Sequence, residues 1–307
     1  MSELKAFTSA NHPTRRWRRI KDRLIETVLF LAAASSVLVT IGIVYILVSE
    51  SLPFFSHVSL VEFLTEREWT PMFSDAKFGI RPLIAGTFMA TFIAVCVAIP
   101  LGTIVSAYLS EYVRPSMREA LKPILELLAA VPSVVYGYFA LLFVTPLLQK
   151  LMPELGGFSV LSAGIVMGIM IIPYVSSLSE DAMRSVPTHL REASAALGST
   201  KFQTTLRVVI PSAFSGITSA YVLGISRALG ETMVVAIAAG MQPNLTLDPT
   251  EPAATITAFI VQVSLGDLPH GSIGYQSIYV AGLTLLFITL VFNIVGMWIR
   301  SRVQEKE

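Results

Sequence analysis

Six stretches of the chain run apolar for about twenty residues or more with almost no charge inside them. They cover roughly Leu24–Val48, Leu83–Leu109, Ile124–Leu148, Phe158–Leu178, Ala213–Ala239 and Ser277–Ile299. A bilayer core about 30 Å thick takes roughly 20 residues of α-helix, so each stretch predicts one crossing. The only charges within them are Glu26, Glu126, Arg227 and Glu231. Proline falls inside the second, third and fourth, at Pro100, Pro132, Pro146 and Pro173. Each removes a backbone hydrogen bond and bends its helix. A freed carbonyl is tolerated in a bilayer where protein or a watery cavity receives it, so these prolines suggest either a pathway or ordinary kinking. A seventh apolar stretch, Pro252–Leu265, is too short to span. It predicts a short helix lying in the interface or dipping back into the protein.

Composition supports a membrane setting. Apolar residues make up 53% of the 307 and charged residues 14%, where a soluble domain carries roughly a quarter charged. So little charge cannot cover a globule in water. The single cysteine, Cys96, excludes an intramolecular disulfide, and His12, His57, His189 and His270 show no metal-ligand spacing. The first apolar stretch, about 25 residues long, exceeds the apolar region of a cleaved leader and predicts a retained span.

Lysine and arginine then set the orientation, because cytoplasmic loops collect them. Before the first stretch lie Lys5, Arg15, Arg16, Arg18, Arg19, Lys21 and Arg23. Between the second and third lie Arg114, Arg118 and Lys122, and between the fourth and fifth Arg184, Arg191, Lys201 and Arg207. Arg300, Arg302 and Lys306 follow the last. The other side has Arg67, Lys77, Arg81 and Lys150. Both termini are therefore expected in the cytoplasm. The Arg15–Arg19 cluster is expected to hold the first helix against anionic lipid, and no nucleic-acid partner is expected. The expected organisation is a cytoplasmic tail over residues 1–23, a first transmembrane helix over 24–48 and an external segment over 49–82. A transmembrane core follows over 83–299, then a cytoplasmic tail over 300–307. The 49–82 segment, with Pro53, Trp69, Pro71 and Pro82, is expected to be folded rather than flexible.

One cytoplasmic loop, over 180–211, is more than polar filler. Its Arg191-Glu192-Ala193-Ser194-Ala195-Ala196-Leu197-Gly198 segment is a short helix former stopped by a glycine suited to a left-handed cap. So short a helix needs a docking partner, and its small residues allow another surface to come close. Glu192, Ala193, Gly198 and Pro211 are spaced as Glu-Ala-Ala, three residues, Gly, nine residues, Ile-x-Leu-Pro. This resembles the loop of permeases of binding-protein-dependent ABC importers. Ser194, Val208 and Ile210 are mild departures from that pattern. Three further segments are similar to phosphate permeases: Leu109-Ser110-Glu111-Tyr112, Glu126 through Gly137, and Arg227-Ala228-Leu229-Gly230-Glu231-Thr232-Met233. The first and last favour the PstC type over its PstA-type partner.

The resemblance, covering about Phe78 to the last span, implies an all-α integral membrane protein of six transmembrane helices with the type I importer permease (MetI-like) fold. It implies a bacterial inner-membrane, multi-pass location. It also implies a complex with a PstA-type second permease, two PstB-type ATP-binding subunits and an external PstS-type phosphate-binding protein. In the family the 180–211 loop inserts into a groove on the ATPase. The chain has no Gly-x-x-x-x-Gly-Lys-[Ser/Thr] phosphate loop and no hydrolytic Ser, His and Asp set. It is expected to bind no cofactor and to be no enzyme itself; ATP and magnesium would be used by the partner ATPase.

Arg227 lies near the middle of the fifth stretch, where an arginine costs about 2.5–3.5 kcal/mol on insertion scales. Four-residue spacing puts Glu231 on the same face of a continuous helix. The two could pair to lock packing, or a passing oxyanion could borrow the guanidinium, whose parallel donors suit it. Glu126 and Pro132 are expected to serve structure or gating at the start of the third span. The functional expectation is inward passage of inorganic phosphate. Permeases for phosphonate, sulfate or molybdate remain open, as does an ion-coupled secondary carrier, which would show paired inverted repeats.

Overall fold

The computed structural model describes residues 12–269 and 271–304. Lys5, Lys306 and His270 lie outside the described residues, as do the ends of both expected tails. Among the described residues the regular structure is helical, with two isolated bridges, Trp69–Phe78 and Gly240–Ala253, in place of strands.

The first apolar stretch lies within α1, His12–Phe55, a 44-residue helix that extends well past 24–48 at both ends. It packs chiefly against the last helix, α14, Ile273–Gln304. The following segment is folded, as its prolines and Trp69 suggest. Helix α2, Leu60–Thr65, is capped by Ser59. Trp69 is buried between Phe63, Phe78 and Phe259 in edge-to-face contacts, with ring centroids 5.0 Å apart for Trp69 and Phe259.

Helix α3, Arg81–Ala107, continues through a π-helical turn, Tyr108–Tyr112. It carries small buried residues every fourth position: Gly86, Ala90, Ala94, Ala98, Gly102 and Ser106. They form one stripe because four residues are about one turn. Helix α7, Val160–Arg184, packs on this stripe more extensively than any other pair of helices pack. A Cβ built on Gly168 would lie 2.8 Å from the Ala94 carbonyl, and one on Gly164 2.7 Å from Ile93 Cβ. Backbones approach this closely in membranes because dispersion, rather than hydrophobic burial, holds such helices together. Pro100 and Pro173 sit inside α3 and α7 without ending either.

The third and fifth stretches differ from expectation. Ile124 begins no span. Residues Pro115–Ala129 form a separate amphipathic helix, α4, with no buried residue. The crossing starts after it, as α5, Ser133–Phe139, a π-helical turn, Ala140–Val144, and α6, Thr145–Leu151. Pro132 disfavours the helical conformation at the residue before it, and it stands at the N-cap of α5 with ψ 135°. Glu126 therefore lies exposed in the last turn of α4, not at a helix start. The expectation of a helix-start carboxylate is corrected, since Ile124–Ala129 belong to the preceding element. The fifth stretch is likewise split into α11, Phe214–Leu229, and α12, Met233–Ala238.

Between α7 and α11 come α8, Thr188–Ala196, α9, Lys201–Thr204, a π-helical turn, Thr205–Val209, and α10, Ile210–Ser212. The path bends by 73° between Lys201–Ser212 and α11. The short stretch near Pro252 dips into the protein as α13, Ile256–Gln262, whose first four residues are buried. Among the described residues five helical segments are long and apolar enough to cross a membrane, or six if the bent pair counts as one.

Candidate functional site

Two helix breaks meet beside α7. At the first, between α4 and α5, two tyrosine hydroxyls meet the last carbonyls of α4. Tyr136 donates its hydroxyl to Leu128 O at 2.9 Å, and Tyr174 donates its own to Ala129 O at 3.1 Å. At the second, Gly230 closes α11 and Thr232 begins α12. The breaks touch because Gly137 of α5 has no side chain. A Cβ there would stand 2.9 Å from Ile237 Cδ1 and 3.1 Å from Met233 O.

Arg227 and Glu231 serve different neighbours at the second break. The Arg227 guanidinium lies over the Tyr174 ring, 4.5 Å from its centroid, and is exposed. The Glu231 side chain is buried, and Oε1 accepts from Met233 N at 3.2 Å and Val234 N at 3.5 Å. It thus caps the free donors at the start of α12. Among the described residues no ion pair joins Arg227 and Glu231. Of the two readings offered by the spacing, the mutual pair is not formed here, because facing at four-residue spacing needs a continuous helix, and α11 ends at Leu229.

The re-entrant segment closes the break from one side. Thr257 donates to Glu231 O at 2.6 Å, and Ile256 N donates to Thr87 Oγ1 at 3.0 Å. Gly86 lies in tight contact with Ala254 O, leaving no room for a side chain. Spacing alone did not reveal Tyr136, Tyr174, Thr87 and Thr257 as members of the site. The one available signal was polar residues within apolar stretches.

At the opposite end of α3 sits the α8 loop. Glu192, Ala193, Ala195, Ala196, Leu197 and Gly198 are all exposed, Leu197 by 88%. Gly198 has φ +82° with open space around its α-carbon. Ser194 alone turns inward, and its hydroxyl meets Thr204 Oγ1 at 2.9 Å. The departure from alanine at that position thus stitches α8 to α9. Pro211 is exposed in α10. Arg191 reaches inward to Glu111, with Nη2–Oε1 at 2.9 Å and Nε–Oε2 at 3.2 Å.

Nearby, the buried Glu180 accepts from Arg118 at 2.6 Å and from Lys122 at 3.0 Å. This ties the otherwise exposed α4 to α7. The bond to Glu180 holds the Arg118 guanidinium above its ordinary pKa. Burial pulls the Lys122 pKa down, but its bonds to Asp181 and Glu180 outweigh that and leave it raised.

Helix breaks within a fold of apolar helices, an exposed arginine at one of them and a loop of small exposed residues are the parts a transport permease needs. Residues 98–306 match the family model described as binding-protein-dependent transport system inner membrane component. The chain belongs to that family, and it is a transmembrane subunit of an ABC importer. Within the family its sequence is of the PstC type.

Phosphate transport system permease protein PstC of Xylella fastidiosa is 32% identical over 80% of this chain and 81% of its own length. Probable ABC transporter permease protein YqgH of Bacillus subtilis is 33% identical over 95% and 94%. Among solved structures, a bacterial ABC transporter for the import of the polysaccharide alginate aligns with TM-score 0.63. It shares 16% identity over 94% of this chain and 99% of the other. The MetNI methionine ABC transporter aligns with TM-score 0.54 and 17% identity over 73% and 94%. These likenesses bear out the all-α type I permease fold.

Proposed function

We propose that this chain passes inorganic phosphate from an external binding protein to the cytoplasm, driven by ATPase subunits that dock on the α8 loop. The observation that carries the choice of an oxyanion is Arg227. It is an exposed cation at a helix break, stacked on Tyr174, with no acid paired to it among the described residues. A guanidinium facing lipid would cost about 2.5–3.5 kcal/mol, so it is read as facing a watery path shared with a second, PstA-type permease. Parallel donors suit a tetrahedral oxyanion bidentately. The names of the PstC relatives support phosphate. The structural neighbours, named for alginate and methionine, support the fold and leave the cargo open.

In this reading Glu192, Ala193, Gly198 and Pro211 present the docking face to a PstB-type ATPase, which uses the ATP and magnesium. A PstS-type protein delivers the anion on the face holding residues 49–82. Both termini then lie in the cytoplasm of a bacterial inner membrane. Glu126 and Pro132 act in this reading as the hinge between α4 and α5.

The test is uptake by vesicles holding the full complex with the ATP inside. Arg227→Lys keeps charge and loses the fork, and uptake is expected to fall about tenfold or more, the loss of one charge-assisted bond, with assembly intact. Wild-type uptake by Arg227→Ala would remove the oxyanion role. Preferred uptake of sulfate or molybdate by the wild type would move the reading to the runner-up cargo.

A further inference from the structure

Arg191 is the most heavily bonded cation in the described loop, and none of its bonds points outward to the docking face. Beyond its two bonds to Glu111, Nη1 donates to Val186 O at 2.6 Å and Nη2 to Met183 O at 2.8 Å. Met183 lies in the last turn of α7 and Val186 just beyond its C-cap Ser185, where a cation is favoured by the helix dipole. The Glu111 side chain is 7% exposed and also accepts from Ser110 Oγ at 2.8 Å. One guanidinium therefore joins α8, the end of α7 and the π-helical turn that follows α3. A second contact spans the same seam, with Lys201 over the Tyr112 ring at 5.4 Å.

From Glu111 the helix runs without a break to Arg81. Over the 24 residues back to Thr87 it spans about 36 Å at 1.5 Å per residue. There Thr87 holds Ile256 N, Gly86 seats Ala254, and Thr257 holds the Glu231 carbonyl at the α11–α12 break. The stripe of small residues makes α3 and α7 one close-packed unit, and such units shift as bodies rather than deform.

We propose that Arg191 and Glu111 are the positioning pair through which displacement of the α8 loop is delivered to α3, and so to the helix break beside Arg227. The pair touches neither the ATPase face nor the cargo. Its work is to make loop and helix move together. The proposal rests on the reading of α8 as the ATPase-docking loop. The test measures the coupling between loop and helix itself.

In reconstituted full complex, the quantity is phosphate imported per ATP hydrolysed, with ATPase co-purification scored separately. Glu111→Gln and Arg191→Lys each remove the bidentate charged pair. We expect the ATPase to co-purify and hydrolysis to continue, while the import-to-hydrolysis ratio falls about tenfold, the worth of one charged hydrogen bond. In a Cys96→Ala background, Glu111→Cys with Arg191→Cys joined by a short bis-maleimide should recover the ratio. It should stay low before the linker is added. An unchanged ratio, hydrolysis and import falling in parallel, or no recovery on linking would each overturn the proposal. If the single variants fail to assemble, the linked pair decides by the same ratio. Failure of the docking reading would look different: wild-type complex itself would not retain the ATPase.

Discussion

Arg227 and Glu231 stand four residues apart, yet Gly230 between them ends a helix, so their side chains diverge. One lies over Tyr174 and the other caps α12. A charge swap, Arg227→Glu with Glu231→Arg, should therefore rescue neither single change. The swap puts an arginine beside backbone donors and a carboxylate over an aromatic face, and both placements are repulsive. Uptake near the wild-type level in the swapped complex would mean that a pair forms during the cycle. Gly198 shows a second residue-scale demand. At φ +82° with empty space around it, a methyl group is strained but not blocked. Gly198→Ala should cost about 1 kcal/mol of local stability and leave docking intact. Gly198→Glu should instead lose ATPase co-purification and uptake, because its side chain would project into the proposed docking face. Normal co-purification by Gly198→Glu would count against that face.

At the scale of elements, the seam between α3 and α7 sets how much change the fold tolerates. A methyl group on Gly168 would stand within 2.8 Å of both the Ala94 carbonyl and Val97, and neither neighbour is a flexible chain end. Gly168→Leu should force the helices apart and cost about 1–3 kcal/mol or more, as overpacking does. The check is a lower thermal midpoint in detergent for this variant. Leu substituted at Gly157, which has nothing within 4 Å, should leave the midpoint unchanged. The small-residue stripe from Gly86 to Ser106 was present in the sequence as a spacing of four. What was not legible was its partner, because apolar surface in a membrane chain is spread around every span and periodicity does not mark the inward face. Splitting of the third and fifth stretches was hidden for a related reason. The breaks at 130–132 and 230–232 are only three residues long and flanked by apolar runs, so a window average passes through both.

Over the whole molecule, the bonding scheme has two ends joined by α3. One end holds the α8 loop with the Glu180 and Glu111 ion pairs, and the other holds the aromatic cluster around Trp69 and the re-entrant α13. The strong excess of Lys and Arg at the first end predicts that it faces the cytoplasm. In a Cys96→Ala background, a cysteine at Ser199 should react only with reagent supplied inside. One at Asp248 should react with an impermeant maleimide in intact cells. Labelling of the Ser199 position from outside would invert the topology.

The sequence by itself determined the solvent, the number of apolar stretches, the family and the residue spacing of the α8 loop, since each follows from composition or from residues close along the chain. The tertiary structure alone decided which spans are broken, which neighbour each interior charge serves, and which side of α8 is tied down. Those outcomes depend on contacts between residues far apart in sequence, such as Arg191 with Glu111, Thr87 with Ile256, and Tyr174 with Arg227. A hydrogen bond or stacking contact is made at a few ångströms, and only the packed fold brings those partners within that range.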